Sequence, residues 1–305
     1  MKFVPSIFRS NYPYDPALNF NFEKYSNLQD ATLVVSVTKN DYIKSIKGRK
    51  FYLNLEEPNG FLTKDLQLPE GTFDQVFSIC PFTTKFFNRV QENTGQYVFF
   101  PTNFDFVPEL QDKDFDCIYS GHLLSPLIRN FLTTLRNNLK LKLCVISGTD
   151  DELVTHKGVS YREKMQLIAR SKFSIVHNQL FVSQGGLKAL KINLPNWKDH
   201  EAFSALPRNT INIYRKPVAW QAPQLKSRLF EAAASGTIPI VITDPWNLAG
   251  DWFSKDELIY TSEEQLLPTL LEALGRNSEF IDLREHLKNK TRKDYSTDAF
   301  ASKYL

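Results

Sequence analysis

The second half of the chain alternates short apolar runs with helix-like segments, and this alternation constrains the fold more than any other feature. Strand-like runs are expected at 115–120, 141–147, 172–178, 237–243 and 257–261. Helical patterns are expected at 126–138, 161–171, 224–235, 248–253 and 262–275. Such repeated strand–helix units predict a mostly parallel sheet covered on both faces. Right-handed crossovers place all the carboxyl ends of the strands at one edge, where open sheets bind ligands.

The first part of the chain predicts a second α/β layer with fewer helices. Its β-rich runs lie at 31–37, 49–55, 73–79 and 96–100, and a helical pattern at 83–95 is closed by Gly95. The segment 101–114, with two prolines and four acids, is expected to separate two domains. A long stretch at 179–222 has no clear periodicity and is expected to be irregular. We therefore predict domains over 1–110 and 111–280, with 281–305 forming a C-terminal helix that packs back across both.

Composition narrows the class of protein. Hydrophobic residues make up 42% and charged residues 23%, which is ordinary for a globular chain, and the net charge of +3 gives no reason to expect nucleic-acid binding. Cys80, Cys117 and Cys144 each lie in or beside an apolar run, so buried reduced thiols are expected. No stretch resembles a signal peptide or a membrane span. The expected location is the cytoplasm.

One predicted helix, with the sequence QLKSRLFEAAAS, carries most of the functional signal. Helical spacing places Gln224, Arg228, Glu231 and Ser235 on one polar stripe, while the rest of the surface is apolar. A helix this apolar is buried, so its polar stripe must face another polar group. An internal Arg228–Glu231 ion pair on a partly solvated face is the alternative. Gly236 is expected to cap the end of the helix.

The segment from Pro223 to Asp244, PQLKSRLFEAAASGTIPIVITD, resembles the donor-binding segment of GT-B glycosyltransferases. The resemblance is to the branch with a K-x-R-x-F/L-E-A-x-A-x-G pattern, which includes spore-coat-type transferases. Flanking segments resemble exostosin-like and fucosyltransferase C-terminal domains. The resemblance implies an α/β GT-B fold, with two Rossmann-like domains whose mostly parallel sheets face a central cleft. The first domain would hold the acceptor and the second a nucleotide sugar.

The resemblance also implies roles for individual residues of this helix. Glu231 would bind the donor ribose, since a carboxylate accepts hydrogen bonds from two hydroxyls. Arg228 and Lys226 would contact the diphosphate. Gln224 and Leu229 would complete this part of the donor site. Many retaining members of the family carry a second glutamate where this chain has Pro223, and this difference favours an inverting reaction.

Further donor-binding candidates follow the predicted strands. Ser120, Gly121 and His122 form a strand-to-helix turn, where a helix N-terminus favours an anion, although a plain surface turn is the alternative. The remaining candidates end neighbouring strands or lie in the long irregular stretch: Ser147, Gly148, His177, Asn178 and Arg215. Arg215 and its neighbours Tyr214 and Lys216 are equally compatible with an ordinary basic surface.

A catalytic base is expected at the corresponding edge of the first sheet. An inverting transfer needs a group that removes the proton of the acceptor hydroxyl. Glu57 is the favoured base because it follows an apolar strand and precedes Pro58, with Glu56 on the opposite face. Asp15 is the second candidate. A solvated acid in a loop is the competing interpretation of Glu57.

The sequence therefore predicts a glycosyltransferase that moves a sugar from a nucleotide-diphosphate sugar, UDP-linked rather than GDP-linked, to a glycan or other hydroxyl acceptor. No metal site is expected, because basic residues and helix dipoles stabilise the leaving diphosphate in GT-B enzymes. We expect no other cofactor, no nucleic-acid partner and no transmembrane segment. The oligomeric state is left open. A nucleotide-sugar epimerase of the same fold and a non-catalytic nucleotide-sugar or glycan-binding module are the alternatives.

Overall fold

The computed structural model describes part of the chain in detail. The described residues are 2–4, 31–35, 45–55, 72–81, 84, 88, 94–109, 112–121, 123, 126–137, 141–183, 204–205 and 218–305. They contain two parallel sheets, a small antiparallel sheet and a set of helices.

The first sheet is parallel, and its five strands lie side by side in chain order. They are β1 (Lys2–Val4), β2 (Ala31–Val35), β3 (Arg49–Asn54), β4 (Gln75–Ser78) and β5 (Gly95–Tyr97). The four β-rich runs of the sequence are thus confirmed as strands. Gly95, which was expected at the end of a helix, is the first residue of β5, and both its backbone groups bond to the side chain of Asn88.

The described residues of the second half of the chain supply nine more strands. They are β6 (Phe115–Ser120), β7 (Leu143–Ser147), β8 (His156–Lys157), β9 (Ser171–His177), β10 (Gln179–Ser183), β11 (Ser204–Ala205), β12 (Val218–Pro223), β13 (Ile238–Ile242) and β14 (Ile259–Thr261). Six of them form a parallel sheet in the order β14-β13-β9-β6-β7-β8. The predicted parallel sheet is confirmed, and its carboxyl ends share one edge.

Six α-helices are described. They are α1 (Pro126–Asn137), α2 (Tyr161–Ala169), α3 (Ser227–Ala234), α4 (Leu266–Gly275), α5 (Ile281–Asp294) and α6 (Thr297–Tyr304). Helix α3 packs against α2 and α5, whereas α1 packs against α4. Alternate residues of β6 face different cores: Cys117 and Tyr119 belong to the larger apolar cluster and Ile118 to the smaller one. Both faces of this sheet are therefore covered.

Two predictions from the sequence are corrected, and a third is confirmed in shorter form. The stretch 179–222 is not wholly irregular, because β12 pairs antiparallel with both β10 and β11. The helix expected at 248–253 is present as a 3₁₀ helix at Leu248–Asp251. The C-terminal tail contains two helices in place of the single one expected. Helix α5 ends at Asp294, and the Ser296 side chain caps α6 by accepting a hydrogen bond from the Ala299 N–H.

Helix α3 is shorter than its sequence pattern suggested. Its N-cap residue is Lys226, so Gln224 precedes the helix and does not share a helical stripe with Arg228. At the other end Gly236 has a φ of 63°, and its N–H donates to the Ala233 carbonyl. The predicted glycine cap is therefore confirmed.

None of the described helices is long and apolar enough to span a membrane. All three cysteines are buried and none forms a disulfide, as expected.

Candidate functional site

The carboxyl edge of the six-stranded sheet brings together residues from three elements. Strand β6 ends at Ser120 and is followed by Gly121, strand β9 ends at His177, and α3 begins after Lys226. The Gly121 N–H donates to the Ile146 carbonyl at 2.9 Å and so ties the end of β6 to that of β7. This edge is where a parallel sheet binds ligands.

Asn178 connects the end of β9 to the start of α3. Its carbonyl accepts from the Gln224 N–H at 2.9 Å, and its side-chain Oδ1 accepts from the Lys226 N–H at 3.1 Å. The Lys226 ammonium donates to the Gln224 side chain. Asn178 is fully buried. Its part in the structure is therefore to hold the segment that enters α3, a role that its position at a strand end alone could not indicate.

Arg228 lies in the first turn of α3 with its guanidinium against Gly121. A Cβ atom at position 121 would overlap Arg228 Nη2, and Gly121 has a φ of +146°. Only glycine fits this turn without displacing the arginine. Arg228 Nη1 is buried and has no hydrogen-bond partner among the described residues. Buried cationic groups without partners are costly, so this atom marks a place for an anionic ligand.

The first turn of α3 adds to this preference. No side chain caps the helix N-terminus through a hydrogen bond, and no acid lies in the first turn. Helix N-termini carry exposed N–H groups and a partial positive charge, which favour anions. Gly121, Lys226 and Arg228 therefore form one cationic corner at the edge of the sheet.

Two aromatic rings lie beneath this corner. The Arg228 Cζ atom is 5.1 Å from the centroid of the Tyr119 ring. The Tyr119 hydroxyl lies 3.1 Å from Nε2 of His177, and the two rings are nearly parallel, at 9°. Tyr119 is fully buried.

Glu231 and Leu229 are both fully buried on α3. The Glu231 side chain is 0% exposed, and its Oε2 lies 2.7 Å from Lys164 Nζ on α2. Its ion pair is thus with Lys164, and the alternative Arg228–Glu231 pair is not formed. The predicted role of Glu231 in ribose binding stays a prediction. Leu229 is packed in the larger apolar cluster, and its place in the donor site stays a prediction.

Ser147 and Ser120 lie at the ends of β7 and β6, and both are buried. The Ser147 hydroxyl accepts from the Thr149 N–H at 3.1 Å, so it stabilises its own turn. Next to it, Gly148 has no atoms within 4 Å of the position that a Cβ would take, so no close contact demands glycine there.

Asp244 is a carboxyl group at the same edge that the sequence did not single out. It follows the end of β13. Burial raises the pKa of Asp244 to about 6, although the backbone N–H groups of Trp246, Leu248 and Asn247 act in the opposite direction. Within the described part of the chain, no group of three or more His, Cys, Asp or Glu side chains is placed to hold a metal ion.

Four predicted site residues lie outside the described residues: Asp15, Glu57, His122 and Arg215. Their assignments, together with those of Glu56, Tyr214 and Lys216, stay predictions. Sequence reasoning missed Tyr119 and Lys164. Tyr119 stands two positions before the Gly121 turn, and this spacing is the one signal that could have indicated it.

Comparisons with known proteins agree with this architecture. A family model described as glycosyl transferase-like matches residues 128–305. Among solved structures, sucrose-phosphate synthase from Thermosynechococcus elongatus has a TM-score of 0.52 at 10% identity, covering 92% of this chain and 74% of the synthase. TarM has a TM-score of 0.53 at 8% identity, covering 93% of this chain and 56% of TarM. No curated protein sequence gives a significant match.

A second TarM structure, of a mutant from S. aureus in complex with fondaparinux, α-GlcNAc-glycerol and UDP, has a TM-score of 0.52 at 8% identity, covering 93% of this chain and 57% of that protein. At these identities the likeness defines the fold, which is the α/β GT-B architecture that the sequence predicted. The family match extends over more than half of the chain. The chain belongs to the glycosyl transferase-like family and is a glycosyltransferase.

Proposed function

We propose that the protein transfers a sugar from a UDP-linked donor to a hydroxyl group of a glycan, with inversion at the anomeric carbon and without a bound metal ion. The observation that carries the proposal is the buried Nη1 atom of Arg228, which has no hydrogen-bond partner among the described residues and lies at the N-terminus of α3. A diphosphate would supply the missing acceptors and complement the helix dipole.

The same corner supplies the chemistry of the transfer. Negative charge grows on the diphosphate as the glycosidic bond breaks, and a guanidinium fixed beforehand stabilises that charge without reorganisation. Lys226 adds a second cation at the same helix end. These groups support a reaction that needs no metal. Pro223, in place of a second glutamate, supports inversion, and the UDP in the TarM complex supports a uridine donor.

In this proposal the base is Glu57, with Asp15 as the second candidate. Strand β3 ends at Asn54 in a buried position, and Leu55 after it is also buried, so Glu57 follows a firmly packed strand end. A base near such an anchor is held more exactly than one on a free loop. Glu57 would accept the proton of the acceptor hydroxyl during attack on the anomeric carbon.

The first experiment incubates the protein with UDP-glucose, UDP-N-acetylglucosamine, UDP-galactose and GDP-mannose in excess chelator. We expect slow hydrolysis of a UDP-sugar, because water replaces the missing acceptor. Formation of an epimer would instead identify an epimerase, and binding without turnover a non-catalytic module. Complete loss of activity that magnesium or manganese restores would contradict a metal-independent reaction.

The second experiment replaces Arg228 by Met and measures the rate of donor hydrolysis. The change keeps side-chain length and removes the charge, so kcat should fall by about 10²–10³-fold, as for other groups that stabilise transition-state charge. Arg162→Met is the matched control, since Arg162 is exposed on α2 and lies over Phe106. If Arg228→Met melts early but keeps its activity per folded molecule, Arg228 is a structural residue.

A further inference from the structure

Arg228 is held in place by residues that belong to two neighbouring strands. The guanidinium lies over the ring of Tyr119, with Cζ 5.1 Å from the ring centroid. Tyr119 is on β6, two residues before Gly121, where the absence of a side chain leaves room for Arg228 Nη2. A cation over a buried aromatic face gains electrostatic energy that does not require a hydrogen bond.

The Tyr119 ring is itself fixed from β9. A buried phenol needs a partner for its hydroxyl, and the Tyr119 hydroxyl lies 3.1 Å from His177 Nε2. The two rings, on neighbouring parallel strands, are 6.0 Å apart and nearly parallel, at 9°. Both strands are central in the sheet, so the ring has little freedom to turn.

The direction of the guanidinium follows from this support. Arg228 could gain hydrogen bonds by turning toward solvent, yet Nη1 remains buried without a partner among the described residues. Two features offset this cost: the guanidinium stacks on the Tyr119 ring, and Gly121 leaves room for it because it has no side chain. They keep the guanidinium at the helix N-terminus, where a phosphate group would meet it.

We propose that Tyr119 is a positioning residue, which together with His177 holds Arg228 in the orientation that binds the donor diphosphate. The proposal rests on the proposed function and deepens it by adding a residue that does not touch the donor. A positioning role predicts a defect confined to the phosphate part of the ligand. A residue needed only for core packing would instead affect the whole nucleotide, or stability alone.

The test is the affinity for UDP relative to uridine, and for GDP relative to guanosine, measured by calorimetry. The relevant pair is that of the nucleotide, UDP or GDP, which the unmodified protein binds more tightly. In Tyr119→Leu the ratio of diphosphate affinity to nucleoside affinity should fall by about 3- to 30-fold, the range that a buried cation–π contact supplies. Nucleoside affinity should stay the same. Tyr119→Phe keeps the ring and should recover most of the preference. In an Arg228→Met background, Tyr119→Leu should cause no further loss, because the two residues act as a unit.

Phe173→Leu is the matched control for the loss of a buried ring. Phe173 is fully buried on β9 and contacts Phe280 and Arg284, away from the cationic corner. If Tyr119→Leu does not fold, Tyr119→Met takes its place in the same comparison. Equal losses for diphosphate and nucleoside, or additive losses with Arg228→Met, would overturn the positioning role. If the unmodified protein prefers neither UDP over uridine nor GDP over guanosine, it has no diphosphate site at this corner. In that case the proposed function is wrong as well as the positioning role.

Discussion

Glu231 carries a carboxylate that is fully enclosed between α2 and α3. Its Oε2 lies 2.7 Å from Lys164 Nζ, and the Lys164 side chain is only 16% exposed. Oε1 has no hydrogen-bond partner among the described residues. The ammonium also lies 5.6 Å from the centre of the Tyr161 ring. A pair this deeply buried depends on both partners, since either charge alone would remain desolvated.

The first prediction separates a structural role of Glu231 from a role in ribose binding. Lys164→Met should lower the free energy of unfolding by about 3–5 kcal/mol, because it leaves a buried charge without its partner. Lys164→Met combined with Glu231→Leu should recover most of that stability. If Glu231 binds ribose, the double variant should lose about 1–3 kcal/mol of the preference for UDP over 2′,3′-dideoxy-UDP.

Urea unfolding and calorimetry measure the two effects. Glu163→Gln serves as the control, since Glu163 is exposed on the same helix as Lys164 and should change neither quantity. A stable double variant with an unchanged preference for UDP would show that Glu231 is a structural residue only.

For single residues, the sequence predicts that the polar side chains of α3 need a polar partner, but it does not identify that partner. The apolar surface of α3 indicated a buried helix, and the structure confirms it for Leu229 and Phe230. It could not indicate Lys164, because that contact depends on how α2 and α3 pack together. It did not single out Tyr119 either, for which the position two residues before Gly121 was the one available signal.

At the scale of secondary structure, the 3₁₀ helix Lys255–Glu257 is bound to α5 through the carboxylate of Glu257. Glu257 accepts from the Ser254 N–H at 2.7 Å in a capping box. It also accepts from Lys290 at 2.6 and 2.8 Å and pairs with His286 Nε2 at 2.7 Å. Burial alone would raise the pKa of Glu257, but these hydrogen bonds outweigh it and lower the pKa to about 2.

The second prediction concerns the pH dependence of stability. A carboxyl group with a lowered pKa in the folded state stabilises the protein fully above its unfolded pKa of 4.5 and loses this effect as the pH falls toward about 2. Glu257→Gln should therefore cost about 1–3 kcal/mol at pH 7. The difference from the unmodified protein should shrink progressively below about pH 4.5.

Urea unfolding at several pH values between neutral and acid measures this difference. Glu279→Gln is the control, because Glu279 forms an exposed ion pair with Arg276 that should contribute less than about 1 kcal/mol. A Glu257→Gln effect that is constant with pH would contradict the assignment to the ionised carboxylate.

Sequence periodicity identified most strands of both parallel sheets but missed the short edge strands β1 and β8 and the strands of the antiparallel sheet. Strand β11 has two residues, Ser204 and Ala205, which are too few to show any periodicity. It exists because Ser204 pairs with Gln221 of β12. The division of the tail into α5 and α6 was missed for a related reason. The backbone of Thr102 bonds to Tyr295 and Thr297 at that point, and the sequence gives no sign of this contact.

In the whole molecule, a run of aromatic contacts connects the first sheet to the helix of the cationic corner. Phe77 of β4 contacts Phe300 of α6 at 5.2 Å, and Phe300 contacts Phe99 at 6.2 Å. Phe99 contacts Tyr295 at 5.3 Å, and Tyr295 contacts Phe230 of α3 at 5.3 Å. All five residues belong to the same buried cluster. The domain boundaries expected from the sequence stay a prediction, but the two sheets do share one core.

A polar contact reinforces this connection beside the aromatic one. The Tyr97 hydroxyl at the end of β5 donates to Asp251 at 2.9 Å, and the Tyr97 ring lies 5.1 Å from that of Trp252. Burial, followed by the charge of Asp251, raises the pKa of Tyr97, so the phenol stays protonated and remains a donor. The Tyr97 hydroxyl therefore stays available as the donor of this contact.

The last prediction is that the two sheets unfold together and that Phe99 governs this coupling. Phe99 is 1% exposed and contacts Trp252, Tyr295, Phe300 and Tyr304. Phe99→Ala should lower the free energy of unfolding by about 3–5 kcal/mol, because it leaves a cavity at the centre of the shared core. Tryptophan fluorescence and far-ultraviolet circular dichroism should give coincident denaturation curves for the unmodified protein. Leu271→Ala is the control, since Leu271 is 44% exposed on α4 and should change stability by less than about 0.5 kcal/mol. Two separate transitions in the unmodified protein, with Phe99→Ala shifting only one of them, would mean that each sheet folds on its own core.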